Sequence, residues 1–346
     1  MEAHTTELTV RPAPPRRRPD FGGRSEDRVG RILIAPGQLL MAFIVLFPAA
    51  IAIYIGFTSW SPTTGEDFWH AYEFWHWFDG YWEALTSSDF WNAMWRTVLI
   101  TVVCVAVEFL LGFALALLLL KTFRGRGLVT VFFLLPMMVV PAVSGFIFFM
   151  LYQTDGPVNE GLAAVFGVGP VNWLQNANIA IWSVMTVDIW QWTPLMFLIF
   201  LSGLAALPED QMNASRILGA SFYHQLRYLV IPMMAPILLI ALIIRTIEAF
   251  KIFDAIYLLT QGGPGNATEN ISLYIFDLTA QETRWGFASA VAILVLIFVS
   301  AVGFWAIRPI ERAQEETMEE LTGVERPPEA AAEQRVEEAI EAEARV

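Results

Sequence analysis

At 346 residues, 56% of them hydrophobic and 16% charged, the chain is too apolar for an ordinary soluble domain and points to the lipid bilayer. Its net charge of -13 is no partner signal, because much of it lies in the Glu- and Ala-rich stretch 311–346. A single cysteine, Cys104, and four histidines without ligand spacing exclude a disulfide framework and a metal cluster, so no metal or catalytic residue is expected.

Residues 1–31 form a Pro- and Arg-rich arm, expected to be disordered, that carries Arg11, Arg16, Arg17, Arg18, Arg24, Arg28 and Arg31. An orientation signal near anionic lipid is the reading preferred over a nucleic-acid arm. The arm lacks a short apolar core with a cleavage site, so no removable signal peptide is expected. Beyond it, six stretches reach the roughly 18 apolar residues that a spanning helix needs: 33–57, 97–119, 128–152, 179–206, 231–250 and 287–307. In lipid only helices and closed barrels satisfy their own backbone, and these stretches are too long and too evenly apolar for barrel strands. The expected fold is therefore an all-α membrane protein with six transmembrane helices. Lys121, Arg124, Arg126, Arg216 and Arg227 mark the second and fourth loops, whereas 58–95 and 153–178 hold no Lys or Arg. Both termini are accordingly expected in the cytoplasm. The domain reading is a permease body over 32–310, with an acidic tail over 311–346 that is disordered or loosely helical.

Between the first two spans the sequence is dense in aromatics, from Trp60 to Trp95, as an interfacial belt or a platform for an external protein would be. Span three contains Pro136 and Pro141, which kink a membrane helix. The stretch 155–159, DGPVN, reads as an outward turn. No G-x-x-x-x-G-K loop is present, so the chain is not expected to bind or hydrolyse ATP itself.

Residues 207–232, LPEDQMNASRILGASFYHQLRYLVIP, are polar and helix-forming between two apolar spans. Pro208 suits a helix start, Glu209 and Asp210 complement its positive end, and Gly219 suits a left-handed stop. A second helix over 222–230 is expected to lead to Pro232. Asn213-Ala214-Ser215, Gly219, Leu229, Ile231 and Pro232 resemble the E-A-A, three residues, G, nine residues, I-x-L-P pattern of permeases that serve ABC importers. The run from Asp188 to Pro194, and the run from Phe250 through Thr260-Gln261-Gly262-Gly263-Pro264, are similar to the sugar branch of that family. Together the resemblance covers roughly residues 35–310.

What the resemblance implies is a type I ABC importer permease fold in the bacterial inner (plasma) membrane, importing a sugar or related polyol by alternating access. It implies a second homologous permease subunit, a dimer of ATP-binding subunits that hold ATP and magnesium, and an extracytoplasmic sugar-binding protein. No cofactor is implied on this chain. Asn213, Ala214, Ser215, Leu218 and Gly219 are the implied ATPase-coupling residues. Asn213 stands where the family has Glu, which would weaken any salt bridge there to a neutral hydrogen bond. Gln191, Trp192 and Leu195 on the fourth span and Arg245, Ala249 and Ile252 on the fifth take the register of sugar-contacting positions.

Ionisable residues inside a span tend to face protein or water. Arg245 and Glu248 lie three apart on one helical face, placed to pair, with Lys251 and Asp254 continuing the spacing. The row reads either as a structural ion-pair ladder or as a polar wall of the translocation cavity, which puts Glu248 among the substrate-pathway candidates. Glu108 and Asp188 are further candidates, and Trp192 is the preferred stacking platform for a sugar. An ion- or proton-coupled secondary transporter is the alternative. It would show inverted repeats around a mid-membrane ion site, and no repeat is visible. Disaccharide, monosaccharide and glycerol-phosphate substrates all remain open at this level.

Overall fold

The computed structural model describes residues 24–121 and 123–322; the arm before Arg24 and the tail after Thr322 lie outside the described residues. The chain divides into two compact units, residues 1–52 and 53–346. The first contains most of helix α1 (Arg24–Gly56), whose portion Leu33–Gly56 is long and apolar enough to span a membrane.

In the second unit, Thr58 and Trp75 form a single antiparallel bridge around two 3₁₀ turns, Pro62–Thr64 and Phe68–Phe74. Trp69, Trp77 and Trp82 are exposed, as an interfacial belt requires. Helix α2 (Asp79–Thr86) precedes α3 (Ser88–Leu119), which starts nine residues before the apolar stretch because Ser87 caps it. The Ser87 side chain accepts from the backbone N–H groups of Asp89 and Phe90 at 3.2 and 3.4 Å.

Helix α4 (Arg126–Leu134), a 3₁₀ turn at Pro136–Met138 and α5 (Pro141–Leu151) occupy the third apolar stretch. It is thus broken rather than kinked, and neither piece is long enough to span alone. Pro136 and Pro141 each remove a backbone donor, and Val139 and Val140 turn extended (ψ 133° and 136°) ahead of Pro141. Among the described residues five helices have spanning length and apolarity, with Pro141–Leu151 and Ile271–Ala280 as shorter apolar helices.

Helix α6 (Pro157–Phe166) leads to α7 (Ala177–Ala205), capped by Asn176, whose side chain accepts from the Asn178 N–H at 3.0 Å. Next come α8 (Glu209–Ile217), α9 (Phe222–Gln225) and α10 (Ile231–Phe250), with the single π turn Leu226–Val230 joining the last two. Short α11 (Asp254–Leu259), α12 (Ile271–Ala280) and long α13 (Trp285–Thr322) complete the order. Asn270 caps α12, accepting from the Leu273 N–H at 3.0 Å while donating to the Ile252 carbonyl at 2.5 Å.

Helices α3 and α7 pack along much of their length, with α10 against both. Their shared core is aromatic and aliphatic: Phe197, Phe200, Met196 and Met234 are fully buried, and Phe109 meets Phe200 edge-on at 4.9 Å. Gly112 makes this approach possible. A Cβ there would lie 2.6 Å from the Met196 Cβ and 2.9 Å from the Phe197 backbone nitrogen.

Candidate functional site

Glu108 of α3, Asp188 of α7 and Arg245 of α10 meet inside this three-helix contact. Their exposures are 0%, 3% and 1%. The Arg245 Nε donates to Glu108 Oε2 at 2.5 Å and its Nη2 to Glu108 Oε1 at 2.8 Å, a bidentate pair. The same Nη2 also donates to Asp188 Oδ2. Trp192, one turn beyond Asp188 on α7, brings its ring to 5.3 Å from the guanidinium carbon. One cation is therefore held by two carboxylates and an aromatic face, drawn from three separate helices.

This differs from the expected pairing of Arg245 with Glu248. Glu248 lies on the exposed side of α10 and accepts from Lys251 Nζ at 3.0 Å, with side chains 48% and 59% exposed. Residues three apart share only part of a face, and burial of Arg245 selects the partners that are buried with it. Asp254 is exposed at the start of α11.

The other positions divide by environment. Gln191 is buried and donates its Nε2 to the Val139 carbonyl at 2.8 Å, satisfying the backbone where the third apolar stretch is broken. Its amide thus holds the α4–α5 break. Trp192 and Leu195 are half-buried, Ala249 is 1% exposed one turn beyond Arg245, and Ile252 is half-buried with its carbonyl bound by Asn270. Trp192, Leu195 and Ile252 thus keep accessible surface; Gln191, Arg245 and Ala249 do not.

At the far end of α7, the loop 207–232 presents the second group of residues. Pro208 precedes α8 with Glu209 and Asp210 in its first turn, and Gly219 ends it at φ 80°. The N–H groups of Leu218, Gly219 and Ala220 close on the Ala214, Arg216 and Ser215 carbonyls, each at 3.0 Å. Asn213, Ala214, Leu218 and Gly219 are exposed, and Ser215 is half-buried. Ile217 and Leu218, both 86% exposed, project apolar side chains beside polar neighbours. The Asn213 Oδ1 accepts from Arg216 Nη1 at 3.4 Å within the same helix, a neutral contact where a carboxylate would make an ion pair.

Two features were not singled out by the sequence. Asn159, inside the expected turn, is a buried hydrogen-bond hub. Arg96 of α3 reaches Glu269, contacting its carboxylate at 3.7 Å. Burial pushes the Glu269 carboxyl above its ordinary range, and Arg96 opposes that shift.

Residues 108–315 match the family described as binding-protein-dependent transport system inner membrane component. The probable ABC transporter permease protein y4oQ of Sinorhizobium fredii is 36% identical over 77% of this chain and 85% of that protein. The trehalose/maltose transport system permease protein MalF of Thermococcus litoralis is 36% identical over 63% of this chain and 74% of its own length. The trehalose transport system permease protein SugA of Mycobacterium tuberculosis is 31% identical over 82% and 89%. A solved bacterial ABC transporter involved in import of the acidic polysaccharide alginate has the same fold, with TM-score 0.71 at 19% identity over 83% of this chain and 96% of that one.

Proposed function

Because the chain belongs to the binding-protein-dependent transport system inner membrane component family, we propose that it is the permease subunit of an ATP-driven importer of a sugar or related polyol. It is a multi-pass protein of the bacterial inner membrane. In this reading both termini and the loop 207–232 face the cytoplasm, and a second homologous permease subunit completes the pore. A dimer of ATP-binding subunits, carrying ATP and magnesium, rests against α8. A sugar-binding protein delivers substrate from outside, and the spans alternate between outward and inward access. The chemistry of ATP hydrolysis belongs to those separate subunits.

The observation that carries this reading is the elbow at Ala214–Gly219. Exposed Ile217 and Leu218 form an apolar tip suited to a protein groove, and the left-handed Gly219 fixes the angle at which α8 leaves the loop. Asn213, Ala214 and Ser215 complete the docking face. The substrate reading within it is an uncharged sugar: Arg245 is already balanced by two carboxylates and has no charge left to meet an anion. Trp192, Leu195 and Ile252 offer accessible surface to such a substrate, with Gln191, Arg245 and Ala249 behind them; Glu248 belongs to the exposed face.

Gly219→Val places a β-branched residue at φ 80° in open surroundings, so only the backbone is challenged. A left-handed residue costs about 1–2 kcal/mol, which translates to roughly a five- to thirtyfold loss of the docked geometry. Stimulation of ATP hydrolysis by the loaded binding protein is expected to fall by that factor, with the complex still assembled. Unchanged stimulation in the variant, or a wild-type chain purifying with no ATP-hydrolysing partner, would overturn the coupling reading.

A further inference from the structure

At the opposite end of α7 from the 207–232 loop, a cavity of about 530 Å³ opens between the end of α5, residues 172–175 and the end of α11. The volume falls within the roughly 300–1,000 Å³ of small-ligand sites. It lies about 18 Å along α7 from Asp188, counting twelve residues from Asn176 at about 1.5 Å each, so it is separate from the buried ion cluster. Its lining contains no charged side chain. Phe149 and Trp173 supply aromatic faces, and Gln153, Asn172, Gln175 and Gln261 supply amides.

The walls are built rather than incidental. The Asn159 Nδ2, on a side chain buried behind the cavity, donates to the carbonyls of Gln153, Thr154 and Val171 at 3.2, 3.1 and 3.1 Å. Its Oδ1 accepts from the Val171 N–H and from Trp173 Nε1, both at 3.0 Å. One amide thus fastens the 153–154 wall to the 171–173 wall. Tyr152 stacks on Trp173 at 5.4 Å and 26°, which together with the Nε1 bond to Asn159 orients the indole, and the Ser183 hydroxyl donates to the Trp173 backbone carbonyl at 3.0 Å. On the third wall the Thr260 and Thr268 hydroxyls meet at 2.7 Å, and Gln261 is held in a left-handed turn at φ 50°. In contrast, the side-chain amides of Asn172, Gln175 and Gln261 engage no partner among the described residues, and all three are exposed.

We propose that this cavity is a binding site for uncharged carbohydrate. A fixed indole face receives the C–H surface of a sugar ring, and three uncommitted amides, each both donor and acceptor, bond its hydroxyls. The absence of charge in the lining disfavours phosphorylated or acidic sugars, which would lose hydration without gaining a counter-ion. The proposal rests on the sugar-importer reading and gives the pathway a first contact near its α7 N-terminal end.

The test uses the assembled complex in nanodiscs without the binding protein, so that no other receptor contributes. Saturation-transfer NMR is read with trehalose, maltose and glucose 6-phosphate as probes. Transfer to the two neutral sugars is expected, with little to the phosphate. In the Asn172→Ala, Gln175→Ala double variant it should fall about fivefold or more, the size set by losing two neutral hydrogen bonds. Both residues are exposed and make no internal bond, so folding is not at stake. Absence of transfer in the wild type, or an undiminished signal in the double variant, overturns the proposal. Binding-protein stimulation of ATP hydrolysis, measured on the same preparations, tests the importer reading separately: stimulation present without cavity-dependent transfer defeats this site alone.

Discussion

Arg245→Met is expected to destabilise the folded chain by about 3–5 kcal/mol, because it strands two buried carboxylates. Glu108 and Asp188 are 0% and 3% exposed, and Arg245 is the cation that donates to both. Methionine approximates the side-chain volume, so the loss is chiefly electrostatic rather than a cavity. Arg245→Lys should recover only part, since an ammonium cannot span Glu108 bidentately and Asp188 together. The triple replacement Arg245→Met, Glu108→Leu, Asp188→Leu should regain most of the lost stability, because a well-packed apolar substitute for a buried ion cluster is often neutral. Thermal unfolding of the purified chain in detergent reads this directly. The single variant should fall by at least about 5 °C on the scaling of free energy to melting temperature. A shift of the triple variant as large as that of the single one would show that packing, not charge, governs the site.

The second large effect is expected at Gly112→Val. The nearest atoms to an added Cβ include the backbone of α7, namely Phe197 N at 2.9 Å and Met196 C at 3.0 Å, so no rotamer change relieves the clash. The helices must separate, at a cost of about 1–3 kcal/mol or more for overpacking. Glu108 sits one turn before Gly112 on α3, so the same separation stretches its bonds to Arg245. Transport should be lost together with stability. Gly127→Ala is the matched control, because nothing lies within 4 Å of its Cβ and alanine favours the helix. If folded yield and melting temperature respond alike to both substitutions, the close approach of α3 and α7 is not what Gly112 protects.

Much of the architecture was legible because lipid leaves few options: long apolar runs must be helices, and three of the six expected spans lie inside helices, with ends set by residues such as Ser87. The first, 33–57, and the fourth, 179–206, each end one residue beyond their helices α1 and α7. The third run was misjudged in continuity. Its two prolines were visible, but whether they kink or break a helix depends on a partner for the freed carbonyls. That partner, Gln191, is supplied by another helix.

The ion cluster shows the same limit. Local spacing favoured Glu248 for Arg245, while the true partners stand 137 and 57 residues away. The available hint was that one cation and two anions inside spans cannot each be tolerated alone. Gly219 could be read from sequence because a left-handed helix stop is a local requirement. Asn159 could not be read as a hub, because its partners at Val171 and Trp173 are joined to it by tertiary structure rather than by a pattern.

The π turn at Leu226–Val230 accommodates an extra residue just before α10. Each α-helical residue advances about 100° around the axis. That extra residue therefore sets the azimuth of Ile217 and Leu218 about α10. A deletion within the turn would regularise the helix yet swing the apolar tip through roughly a quarter of a revolution, whereas substitutions there leave its heading unchanged. Aim, in this region, is encoded in residue count.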